Sequence, residues 1–239
     1  MNTPPKDRSF LGHLEELRAR IIKSLLAVAV TSSLSYSFST PFLQFLIRPV
    51  GHLVFTSPSE GFLAVVNVTL WGGVIMAMPV ILYQFWAFVG EALREAERKY
   101  VRIFGPLSLI LFLAGIVFGY FVIVPISLNF LLSFQSPQLV PMIRASEYLS
   151  FVGSLVLAFG VVFELPLILV FLTKIGIASP EFLRQKRRYA IVFIFILSAI
   201  LTPPDCASQF LMAIPLLVLY ELGVVLSKVI YRPRKYVWK

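Results

Sequence analysis

The chain has 239 residues, 58% of them hydrophobic, a mean hydropathy of +0.86 and a formal net charge of +9. A soluble domain cannot hide that much apolar surface, so the composition is that of an integral membrane protein. One cysteine (Cys206) excludes an internal disulfide, and with only two histidines (His13 and His52) no zinc or haem site and no cofactor is expected.

The apolar runs are long and do not alternate at period two, so the expected fold is all-α, with helical spans. Residues 1–8 are polar and read as disordered. Residues 1–20 hold seven charged side chains and no apolar core, so neither a cleavable signal sequence nor a transit peptide is expected. Phe10, Leu14, Leu17 and Ile21 make one apolar stripe at helical spacing. They predict a short amphipathic surface helix that runs into a first span, about 21–38. Ser39-Thr40-Pro41 is a helix-start signal, with Thr40 as N-cap and Pro41 at the first helical position. It predicts a short interfacial helix over Phe42–Ile47, ended by Arg48-Pro49. A turn-rich loop, Ser57-Pro58-Ser59-Glu60-Gly61, leads to a second span, about 62–88.

A charged stretch from Glu91 to Arg102 reads as a solvated loop. A third span, about 103–132, would cover roughly 45 Å as a helix. It must tilt, protrude or bend at Pro106 or Pro125. A second loop covers 133–147. The fourth span, about 148–172, contains one carboxylate, Glu164, with Pro166 expected to bend the helix beside it. After a basic loop, the fifth span has only 13 residues, 189–201. As a helix it reaches roughly 20 Å, short of a ~30 Å hydrocarbon core. With the sixth span, about 207–227, it forms a short hairpin whose turn, Thr202-Pro203-Pro204-Asp205, should thin the bilayer locally.

Six spans put both termini on one side. Lys and Arg number five in 1–23, four in 94–102, five in 174–188 and five in 228–239; only Arg48 and Arg144 fall on the other side. The excess of positive charge places both termini in the cytoplasm. The chain reads as one six-helix domain, 1–239, without an inverted repeat.

Three acidic clusters stand out. Around His13-Leu14-Glu15-Glu16-Leu17-Arg18, Glu16 and Arg20 make an i,i+4 pair, and the same carboxylates suit a basic ligand. Along 91–102, Glu95 and Lys99 repeat that spacing. Inside the membrane lie Glu164 and, on the hairpin, Asp205, Gln209 and Glu221. Asn67 and Thr202 are possible structural partners of Glu164, and functional use is the other reading. Enzymatic chemistry finds no support. Both histidines fall outside the spans, Asp7 and Asp205 are the only aspartates, and no phosphate-binding Gly-Lys-Ser/Thr loop exists.

Five motifs occur in order on this topology. They are His13-Leu14-Glu15-Glu16-Leu17-Arg18; Ser57-Pro58-Ser59-Glu60-Gly61-Phe62; Tyr83-Gln84-Phe85-Trp86-Ala87-Phe88 with Glu97-Arg98; Phe163-Glu164-Leu165-Pro166; and Leu201-Thr202-Pro203-Pro204-Asp205 through Gln209 to Tyr220-Glu221. With them, essentially the whole chain resembles the TatC family, receptor components of the twin-arginine protein translocase. The resemblance implies binding of signal peptides with two consecutive arginines. Glu15 and Glu97 match the family's arginine-binding positions, and Phe88 and Pro49 match positions where change impairs function. Glu164 would line a concave intramembrane groove. Thr202 and Gln209, with the neighbouring Asp205, would contact TatA- and TatB-type single-span subunits. The resemblance further implies a homo-oligomer within a larger complex in the inner membrane of a bacterium, in contact with lipids and with no nucleic-acid partner. Export would draw on the proton-motive force. The competing expectation is a proton-coupled small-solute transporter using Glu164; the missing repeat and the surface carboxylates disfavour it.

Overall fold

The computed structural model describes residues 10–93, 95–136, 141–201 and 206–231. Ten α-helices fill these segments: α1 (Phe10–Ser37), α2 (Ser39–Ile47), α3 (Pro58–Ala92), α4 (Glu95–Phe118), α5 (Val124–Leu132), α6 (Ala145–Val162), α7 (Leu165–Lys174), α8 (Pro180–Gln185), α9 (Arg187–Leu201) and α10 (Cys206–Ile230). One π-turn, Gly119–Ile123, joins α4 to α5. They assemble into six rods: α1, α3, α4–α5, α6–α7, α9 and α10. Four of these, all but α1 and α9, are long and apolar enough to span a bilayer, and the bent pair α1–α2 makes a fifth candidate. The expected all-α, six-helix membrane architecture is what the chain adopts. Among the described residues there is no strand, only an isolated parallel bridge between Val54 and Arg144.

Prolines and glycines set the bends. Pro125 lacks an N–H, and its ring crowds the carbonyl one turn earlier. The π-turn immediately before it relieves that clash, so α4–α5 continues as one rod from Glu97 to Leu132. Pro166 acts differently. It stands in the first turn of α7, and the helix is interrupted at Phe163-Glu164 beside the carboxylate, while Ala145–Lys174 still runs as one span. The break keeps its backbone bonds: Glu164 N–H donates to Val161 at 3.1 Å, and the Glu164 carbonyl accepts from Ile168 at 2.9 Å. Gly176, with φ of +84°, ends the rod in a left-handed turn that only glycine adopts without strain.

Several expectations need correction. The interfacial helix starts at Ser39 with Phe38 as N-cap, not at Thr40-Pro41, and it bends 80° from α1. Pro41 still falls in the first turn, where no backbone partner is lost. The charged stretch 91–102 is not a loop. Glu91 belongs to α3 and Glu95 onward to α4, because charged residues are well solvated at helix ends and are good helix formers. The basic loop after Lys174 holds α8, whose Ser179 side chain caps the Phe182 N–H at 3.1 Å.

The core sits around α6, with Leu149, Val152, Leu155 and Phe159 fully buried. Lipid tails give helices no hydrophobic reason to associate, so close contact carries the packing. At the α4–α6 crossing a Cβ on Gly115 would stand 2.5 Å from the Phe159 carbonyl oxygen. On α3 a Cβ on Gly73 would stand 2.6 Å from the Ser32 Cα, and Thr31 Oγ1 donates to the Gly73 carbonyl at 2.7 Å. Backbone cannot yield as a side-chain tip can, so Gly115→Val is expected to destabilise the protein by about 1–3 kcal/mol or more. Thermal unfolding in detergent checks this; Gly105→Ala, with open space around its Cβ, should have little effect.

Candidate functional site

α1 begins, α3 ends and α4 begins at one end of the bundle, called here the basic face. There Arg20 ties α1 to α3. Its Nε donates to Glu16 Oε1 at 2.7 Å, one turn earlier, as the i,i+4 spacing predicts. Its Nη2 reaches Glu91 Oε1 at 2.9 Å and its Nη1 donates to Gln84 Oε1 at 3.2 Å. The Arg20 and Glu16 side chains are only 16% and 15% exposed.

The same face of α1 carries Leu17, Ile21 and Ser24. With Gln84 and Phe88 of α3 they line a cavity of about 270 Å³. Phe88 is therefore beside the charged cluster. Glu16, one turn from Arg20, is on this face, whereas Glu15 is exposed on another face of α1. A second cavity, about 540 Å³, opens between α3 and α4 and is lined by Tyr83, Trp86, Ala87, Arg102 and Pro106. Its wall is stiff. Trp86 Nε1 donates to the buried Ser108 hydroxyl at 2.9 Å, and the Trp86, Phe104 and Phe171 rings pack within 5.0–5.8 Å. Glu97 is half-buried in the third residue of α4. The rim thus carries Glu16, Glu91 and Glu97 beside Arg20 and Arg102, at the end of the bundle where two largely apolar cavities open.

Pro49 is not part of this rim. It follows α2, close to where α3 starts, whereas Phe88 lies near the end of α3; that 35-residue helix is roughly 50 Å long. Glu164 lies between these ends, at the α6–α7 break. It is 7% exposed, and among the described residues its Oε1 has no hydrogen-bond partner. Asn67 does not serve it; its amide faces the Ser150 hydroxyl at 3.4 Å. Nor is Glu221 an intramembrane partner, because it pairs with Arg187 at the start of α9. Gln209 Nε2 donates to the Phe195 carbonyl at 2.9 Å, joining α9 to α10. Thr202 and Asp205 lie outside the described residues.

At the opposite face lies Glu60 of the Ser57–Phe62 motif, whose role depends on residues far along the chain. Glu60 is 3% exposed. Its Oε2 accepts from Thr56 N–H at 2.8 Å, and its Oε1 from the Ser146 hydroxyl at 2.6 Å, with Arg144 Nε at 3.4 Å. The Val54–Arg144 bridge runs alongside. Two loops far apart in sequence are tied through one carboxylate. Glu60→Ala is expected to lower the melting temperature in detergent and to open both loops to proteolysis, whereas Glu147→Ala, exposed and paired with Arg144, should do neither.

A family model described as Sec-independent protein translocase protein (TatC) matches residues 12–215. The chain belongs to the TatC family. Among its TatC relatives, the Sec-independent protein translocase protein TatC of Carboxydothermus hydrogenoformans is 42% identical over 236 residues, covering 97% of each chain. The Aquifex aeolicus TatC is 40% identical over 238 residues, covering 95% of this chain and 98% of its own. A solved structure, the crystal structure of the twin arginine translocase receptor TatC, superposes with a TM-score of 0.85 at 39% identity, covering 92% of this chain and all of that one. The chain is therefore a multi-pass membrane protein of the TatC translocase family, and its bent rods are the TatC fold.

Proposed function

We propose that this chain is the receptor subunit of a twin-arginine translocase in a bacterial inner membrane, with its basic face in the cytoplasm. The supporting observation is the pairing of an acidic rim with apolar cavities beneath it. A signal peptide with two arginines followed by an apolar segment has the matching order of charge and hydrophobicity. Guanidinium groups bind carboxylates in bidentate fashion, which an ammonium cannot reproduce. Glu97, Glu15 and Glu16 supply the carboxylates. The apolar segment would lie along Phe88 and the cavity behind it, and then pass toward Glu164.

TatA- and TatB-type single-span subunits would meet the α9–α10 hairpin at Gln209, Thr202 and Asp205. One Gln209 N–H is used within the hairpin, and its side-chain carbonyl oxygen would accept from a partner helix. A polar contact of that kind is worth about 0.6–2 kcal/mol in a bilayer. Export would be driven by the proton-motive force.

The test is export of a twin-arginine reporter in cells lacking their own TatC, supplied with this chain. Restored export, lost when the reporter carries Lys-Lys, supports the proposal. No export alongside partner proteins from the same source, or equal use of Lys-Lys, overturns it. The rival transporter reading requires solute-dependent proton flux in liposomes holding this chain alone, abolished by Glu164→Gln.

A further inference from the structure

Arg48 and Arg144 are the two cations on the sparsely charged face of a strongly basic chain. Arg144 is occupied by Glu60 and Glu147. Arg48 is not: among the described residues no carboxylate pairs with it. It is exposed, and its guanidinium is held over the Phe45 ring at 5.5 Å. Phe45 in turn stacks on Tyr120 at 4.5 Å, and Tyr120 Oη donates to the Phe45 carbonyl at 2.5 Å. The cation is therefore fixed at the C-terminal end of α2 by a built aromatic stack.

Two cavities meet at that stack. One, about 340 Å³, holds Arg48, Pro49 and the exposed Asn129 amide. The other, about 200 Å³, has entirely apolar walls, among them Trp71, Ile75, Val117 and Val156. Phe45, Tyr120 and Phe121 belong to both. Phe121 and Val117 are largely exposed, so the apolar slot is open from the side along the rods. The π-turn that carries Tyr120 and Phe121 shapes the wall between the two spaces.

We propose that this paired site binds one anionic glycerophospholipid of the adjacent leaflet. Its phosphate would sit between Arg48 and the Asn129 amide, and one acyl chain would cross Phe121 into the slot. The choice of a lipid follows from order and charge. A lone fixed cation at the membrane surface lies directly above a narrow apolar slot open to the bilayer. A free phosphate would leave the slot empty, and an apolar helix would leave Arg48 uncompensated. A zwitterionic lipid carries its own cation and gains less from Arg48. The site is distinct from the acidic rim and lies on the other face of the membrane.

A photocrosslinking amino acid at Val117 in the full-length chain, reconstituted in vesicles of phosphatidylglycerol and phosphatidylcholine, tests the assignment by mass spectrometry. Crosslinks to phosphatidylglycerol should exceed its share of the bilayer by about fivefold. Arg48→Gln should abolish that enrichment. Arg48→Lys should keep most of it, because an ammonium also serves phosphate as a point charge. Arg188→Gln, on the basic face, should leave it unchanged, as should excess inorganic phosphate. Crosslinks in proportion to bilayer composition overturn the proposal, as does enrichment that survives Arg48→Gln. Loss of the lipid on adding inorganic phosphate would mark an anion site only and would overturn it as well.

Discussion

Changing Glu16 and Glu97 together to glutamine is expected to weaken capture of a twin-arginine peptide by a hundredfold or more, since each charge-assisted contact contributes about 1.5–3 kcal/mol. Each single change should weaken capture by roughly tenfold. Glu15→Gln should cost little, because an exposed ion pair contributes about 0–1 kcal/mol. Purified protein in detergent, titrated with labelled peptide, gives the numbers. The affinity should also fall with added salt, more for the Glu15 contact than for the half-buried ones. If Glu15→Gln weakens capture more than Glu16→Gln does, then the exposed face of α1 meets the peptide, and the cavity beside Phe88 is not its path. If all three variants bind normally, the acidic rim has no part in recognition.

The second large effect separates stability from function at Glu164. Its unpartnered buried oxygen is costly to the isolated protein. Glu164→Leu should therefore raise stability in detergent by about 1–3 kcal/mol while export falls to background. Glu164→Gln keeps a polar group of the same size and should retain part of the export. Such a gain on removing a carboxyl would show that the residue is kept for a contact made only when a helix or signal occupies the groove. A loss of stability with Leu would mean that a partner within the chain satisfies Glu164. Full export with Leu would dismiss it from the mechanism.

Local features were readable from the chain alone. Pro166 announces the break beside Glu164, and the Glu16–Arg20 spacing announces their pair, because both signals lie within one helical turn. The long apolar runs announce the rods of α3, α4–α5, α6–α7 and α10. What stayed hidden depends on contacts between distant residues. Gln84 and Glu91 reach Arg20 across 64 and 71 positions, so periodicity on α1 could not reveal which of its carboxylates faces the cavity. The π-turn leaves no mark beyond Pro125 downstream. The six-residue α8 is too short for an amphipathic pattern, although Ser179-Pro180-Glu181 is a start signal that could have found it. The Thr40 side chain suits a cap, but α2 starts at Ser39 with Phe38 as N-cap, at the 80° bend from α1.

The Glu60 tie has a consequence for how the protein is made. Its partner Ser146 lies 86 residues further along the chain. At roughly 5–20 residues per second, synthesis delivers that partner only several seconds after Glu60 has emerged. Through that interval the α1–α3 pair must stand without the Ser146 partner at its far end. Thr56, four residues away, offers its N–H and hydroxyl at once and can hold the charge meanwhile. The arrival of α6 then closes the two loops together, before α9 and α10 have been made.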